Sequence, residues 1–193
     1  MLKKVILIGD SIRMDYQPHV ARLLQSEAEV WGPEENGGTS RNVLTHLREW
    51  VLDREADIVH LNCGLHDLAR DPDEDGSVRD VRVPLEEYES NVSEILRQLL
   101  TSGKKIYWAT TTPVHEENHR KVKIMERHDA DITKYNVAAL RVARELNVPV
   151  NDLNRVVEAA GADRILLPDG VHYTEEGSAC LGAAVAQFLR AHW

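Results

Sequence analysis

Apolar and polar positions along the chain follow two rhythms in alternation. Short apolar runs at 4–8 ("KVILI"), 29–31 ("EVW"), 57–63 ("DIVHLNC"), 105–110 ("KIYWAT") and 148–150 ("VPV") read as strands, being too short for helices and mostly rich in β-branched or aromatic residues. Between them the apolar positions recur three or four apart. Val20, Leu23 and Leu24 mark a helix over 13–26, and Val43, Leu44, Leu47 and Val51 mark another over 39–52, with Ser40 near its cap. Further helices are expected from Pro84 to residue 100, with the proline in the first turn, and over 130–146, 154–160 and 174–191.

Two stretches break the rhythm. Residues 69–83, containing "ARDPDEDGSVRD", read as a polar surface excursion, and 111–127 as a long irregular segment holding Pro113, His115 and His119. Loops of that length in a compact domain tend to be functional or disordered. The regular remainder predicts an α/β three-layer sandwich with a five-stranded parallel sheet in the flavodoxin-like order 2-1-3-4-5. Ligands of such sheets bind beyond the carboxyl ends of the strands, so chemistry is expected after strands one, three and four and in the late loops. The 193 residues suit one domain, 1–193.

Charge and composition narrow the classes. A formal net charge of −9 argues against a nucleic-acid surface, which needs clustered Lys and Arg. No apolar run reaches the length of a membrane span, and the opening run is closed too soon by Gly9 and Asp10 to be a secretory leader, so a cytoplasmic protein without membrane insertion is expected. Cys63 and Cys180 stand far apart, without disulfide or zinc spacing, and read as small buried apolar groups.

At the end of the first strand stand Gly9, Asp10 and Ser11. A serine at a strand-to-helix turn presents its hydroxyl at the sheet rim and its own N–H at a helix start, which suits a nucleophile and an oxyanion donor. The same triplet would also serve as an ordinary helix cap. Near the other end, "LLPDGVHYTEEG" places Asp169 and His172 three apart just before the last helix, the spacing of a general base and the carboxylate that orients it.

With "IGDSI" early, a glycine-containing loop after strand two, Gly-x-x-Asp after strand three and "DGVH" before the last helix, the sequence resembles the SGNH hydrolases, also called GDSL esterases, from Val5 to about Gly177. The resemblance implies Ser11 as nucleophile, His172 as base, Asp169 as its orienting group, and an oxyanion hole formed by the amides of Ser11 and Gly38 with a third donor. Gly37 offers an alternative register for the loop amide. The third block departs from the family's Gly-x-Asn-Asp: Gly64-Leu65-His66-Asp67 puts an imidazole where the family has an amide. A neutral histidine still has one N–H to give, so His66 is the candidate donor, and Asn62 competes for the role. Asp10, Asp67 and Asn62 are expected to support the site, Asp10 by bonding backbone amides of the neighbouring loop.

The expected reaction is hydrolysis of short-chain acyl esters, acetyl above all and carbohydrate esters among them, through an acyl-enzyme on Ser11 and with no cofactor. Alternatives are a longer-chain lysophospholipase or thioesterase, or a non-catalytic small-ligand module on the same sheet. A metal-dependent hydrolase using His60, His66, His115, His119 and His128 is disfavoured, because no carboxylate-backed HExxH pattern is present. Arg70, Arg120 and Arg127 are candidates to hold a polar or acidic leaving group, against the general expectation of solvated surface. The partner is a small-molecule ester; a homo-oligomer through Phe188 or Trp193 stays open.

Overall fold

The computed structural model describes residues 1–75 and 77–193. Five parallel strands form one sheet in the order β2-β1-β3-β6-β7: β1 Lys3–Ile8, β2 Ala28–Trp31, β3 Ile58–Leu61, β6 Lys105–Ala109 and β7 Val150–Asn151. This is the expected flavodoxin-like order. β1 is an interior strand covered on both faces, and its Val5, Ile6, Leu7 and Ile8 are all apolar and buried. The last strand is shorter and later than 148–150, since helix α5 (Asp129–Glu145) ends only at Leu146 and the chain turns through Asn147 at φ 55° before it can extend.

Helices α1 (Ser11–Leu24), α6 (Leu153–Ala160) and α8 (Glu175–Ala191) pack together as one layer, and α2 (Ser40–Leu47), α3 (Leu85–Leu100) and α5 as the other. This division follows from right-handed crossovers on a sheet whose strand order reverses at β1. A π-type turn at Arg48–Leu52 extends α2 to the length expected from its apolar face. A short helix α7, Ala162–Ile165, precedes the loop to α8.

Both segments read as irregular contain structure. Within 69–83, β4 (Arg70–Pro72) and β5 (Val78–Val81) pair antiparallel, and Gly76 lies outside the described residues. Its base is tied to the second segment by reciprocal backbone bonds between Arg70 and Glu126, at 2.9 and 2.8 Å. Within 111–127 lies α4, Glu116–Val122, with His115 at its N-cap. Among the described residues no helix is long and apolar enough to cross a membrane. Cys63 is fully buried, and burial pushes its thiol well up in pKa, whereas Cys180 is only half-buried.

Candidate active site

The turn after β1 is built to present Ser11. Asp10 caps α1, its Oδ1 accepting from the Ile12 amide at 3.0 Å, so this carboxylate serves its own helix where a bond to the neighbouring loop was expected. Ser11 thereby becomes the first helical residue, whose N–H has no acceptor within the helix. Its Oγ lies 2.8 Å from His172 Nε2. On the far side of the ring, His172 Nδ1 meets Asp169 Oδ2 at 2.6 Å, while Asp169 Oδ1 accepts from the amides of Val171 and His172 at 3.0 Å each. Burial would raise the Asp169 pKa, yet the His172 ring and these two amides outweigh it and hold it at about 2. Any stability that comes from this shift is present above the ordinary carboxylate range and lost as pH falls through about 2.

The loop after β2 is held over this turn by two devices. The Gly37 amide donates to Gly9 O at 3.0 Å, and a Cβ on Gly37 would stand only 2.6 Å from that oxygen, so the approach needs glycine. That bond also occupies the Gly37 donor, whereas Gly38, at φ 60°, has no backbone acceptor for its N–H among the described residues. The Gly38 N–H donates to Asn36 Oδ1 at 2.8 Å, a side-chain acceptor that a reacting oxygen would have to displace or share.

The second device is Arg13, unremarked in the sequence. Only 3% exposed, it sends Nη2 to the carbonyls of Pro33 (2.9 Å) and Glu35 (3.0 Å), while Nη1 bonds Gln17 at 2.9 Å. Arg13→Met should therefore lower stability by about 3 kcal/mol, from two carbonyls stripped of a charged donor, measured as an earlier urea midpoint with an unchanged m-value.

Beyond β3, Gly64 takes φ 147°, and a Cβ there would stand 2.4 Å from Thr111 Oγ1. Asp67 is fully buried and accepts from Ser40 N at 2.8 and 3.0 Å and from Ser40 Oγ at 2.5 Å, joining this loop to the start of α2. Burial raises its pKa to about 6 against the opposing Ser40 bonds. Asn62 donates its side-chain amide to Ala109 O at 2.7 Å and to Thr111 Oγ1 at 3.5 Å, bonds that tie the ends of β3 and β6 together. His66 has no hydrogen bond to its ring among the described residues and lines the same cleft as Ser11 and His172. Burial lowers its pKa, with Asp10 opposing and Arg127 reinforcing, which favours the neutral ring with one free N–H.

The cleft, about 270 Å³, is completed by Asn36, Leu65, Lys123, Met125, Arg127 and Val171. Lys123, Met125 and Arg127 come from the segment read as irregular. Of the three candidate arginines only Arg127 is at the site. Arg70 pairs with Asp131 at 2.7 Å, and Arg120 is exposed. His119 lies within α4 but is fully buried, its Nδ1 3.3 Å from Asp169 O and its Nε2 3.3 Å from Arg127 Nη1. Among the described residues no group of three or more His, Cys, Asp or Glu side chains is placed to hold a metal ion.

The sequence profile of the GDSL-like lipase/acylhydrolase family matches residues 7–180. No curated protein sequence matches. Among solved structures, a lipase/acylhydrolase from Enterococcus faecalis is similar at TM-score 0.81 and 21% identity, over 99% of this chain and 97% of its own. An acetylxylan esterase from Geobacillus stearothermophilus is similar at TM-score 0.72 and 21% identity, over 97% and 93%. A second acetyl xylan esterase is similar at TM-score 0.77 and 19% identity, over 96% and 99%.

Proposed function

The chain belongs to the GDSL-like lipase/acylhydrolase family and is an ester hydrolase, and from that premise we propose that it cleaves short-chain acyl esters, acetyl esters of carbohydrates among them, through an acyl-enzyme on Ser11. The observation that carries this reading is the unbroken chain Ser11 Oγ, His172 Nε2, His172 Nδ1 and Asp169 Oδ2, with separations of 2.8 and 2.6 Å. Ser11 attacks the ester carbonyl as His172 Nε2 takes its proton, and Asp169 holds the tautomer that leaves Nε2 free to do so. The Ser11 and Gly38 amides and the His66 ring N–H receive the developing oxyanion. The protonated His172 then returns its proton to the departing alkoxide, and a water activated by the same ring releases the acid.

A short acyl group is supported by the small volume of the cleft, bordered by Lys123 and Arg127 as well as by Leu65, Met125 and Val171. The carbohydrate alcohol is supported by the likeness to two acetyl xylan esterases. The test is intact mass after incubation with a small fluorophosphonate, which forms a phosphorus–oxygen bond to an activated serine and expels fluoride. One adduct is expected on the parent and none on Ser11→Ala; a folded parent that stays unmodified would overturn the reading.

His66 carries a separate expectation. His66→Ala should cost about 10² in kcat, the loss typical of one oxyanion donor, and His66→Asn should recover most of it by restoring an amide. An alanine variant as fast as the parent would place the third donor elsewhere.

A further inference from the structure

Arg127 is buried to 6% exposure in the wall of the cleft, yet no carboxylate lies within ion-pair distance of it among the described residues. Its neighbours are treated differently: Arg70 has Asp131 at 2.7 Å, and Arg82 has Asp71 at 2.5 and 2.7 Å. Arg127 is gripped from behind by neutral acceptors alone, Nε donating to Leu65 O at 2.8 Å and Nη1 meeting His119 Nε2 at 3.3 Å. His119 is set to accept there, because its Nδ1 faces the Asp169 carbonyl. Nη2 has no partner among the described residues. Burial pulls the guanidinium pKa down to about 10, against the more distant pull of Asp10, Asp169 and Asp71 and with Arg82 lowering it further. A buried charge with an orientation fixed by neutral groups and an edge left over is costly unless an anion meets it. Lys123 adds a second cation to the same wall, 3.7 Å from Asp169 Oδ2.

We propose that the cleft selects esters that carry a carboxylate, and that Arg127 is the residue that recognises it. This rests on reading Ser11 and His172 as the reacting pair, since they put the ester carbonyl in the same cleft. With a net charge of −9 the protein's long-range field gives an anionic substrate no help, so the selectivity comes from contact at Arg127. Planar guanidinium matches planar carboxylate in a paired hydrogen bond, which a lysine does not reproduce.

Non-hydrolysable amides test this without turnover. The carboxylate sits on the leaving-group side in 4-acetamidobenzoate and on the acyl side in N-phenylsuccinamate, and each has a neutral primary carboxamide for comparison. By calorimetry, the parent and Ser11→Ala should bind at least one of the carboxylates about tenfold or more tightly than its carboxamide, a charge-assisted pair's increment. Arg127→Met should erase that preference and Arg127→Lys should keep only part of it. Equal binding of acid and carboxamide by the parent on both sides, or a preference that survives Arg127→Met, would overturn the proposal. Should Arg127→Met not fold, the parent comparison and Arg127→Lys decide. Fluorophosphonate labelling of the same preparations keeps the two readings apart: labelling without carboxylate preference removes the role of Arg127 alone, and preference without labelling removes the role of Ser11 alone.

Discussion

Ser11→Ala should lower kcat toward any accepted ester by about 10⁴-fold or more, with thermal unfolding close to that of the parent. The size follows from losing the covalent route altogether: what remains is water attack assisted by the oxyanion donors and by substrate positioning. The fold should tolerate the change because the α1 cap belongs to Asp10, whose bond to the Ile12 amide does not involve the serine hydroxyl. The assay is initial rate on an activated acetate, with the unfolding temperature of both proteins as the control. A variant that keeps more than about a tenth of the parent rate would not fit a serine nucleophile, since one triad member removed costs orders of magnitude.

Asp169→Asn should be nearly as damaging, at about 10³ to 10⁴ in kcat, by changing where the imidazole carries its proton. The carboxylate accepts from His172 Nδ1 at 2.6 Å through Oδ2, while Oδ1 is fixed by two backbone amides. An asparagine keeps those amide bonds by leaving its carbonyl oxygen there, which turns its NH₂ toward Nδ1. That ring nitrogen must then accept, its proton moves to Nε2, and the ring can no longer take the Ser11 proton. Kinetics and the rate of fluorophosphonate labelling should fall together. Unchanged labelling in Asp169→Asn would mean that another group sets the tautomer, and the nearby Lys123, a cation, cannot be that acceptor.

Much of this site stood in the chain as spacing. Ser11 and His172 are 161 residues apart, yet each could be placed in advance because a strand-to-helix turn and a loop before the last helix both sit at the carboxyl edge of the sheet. The apolar runs of β1, β3 and β6 marked them as buried parallel strands, and their alternation with helices gave the expected flavodoxin-like order. The hairpin at Arg70–Val81 and helix α4 were illegible for the opposite reason. "RDP", "VRDV" and "EENHRKV" have no apolar rhythm of either period, and they are held by reciprocal bonds between Arg70 and Glu126 and by a single buried ring, His119.

By itself, then, the amino-acid sequence determined the layers, the strand order and which few positions lie along one edge, because burial of apolar periods is a local property summed over each element. The tertiary structure alone decided what each loop amide bonds, with Gly37 spent on the backbone at Gly9 O and Gly38 on the Asn36 side chain. It also decided that Asn62 bonds the end of the neighbouring strand and that Arg13 and Arg127 are buried where charged side chains are ordinarily solvated. These outcomes depend on hydrogen bonds between segments distant in sequence, and no pattern within either segment encodes which partner the other will bring.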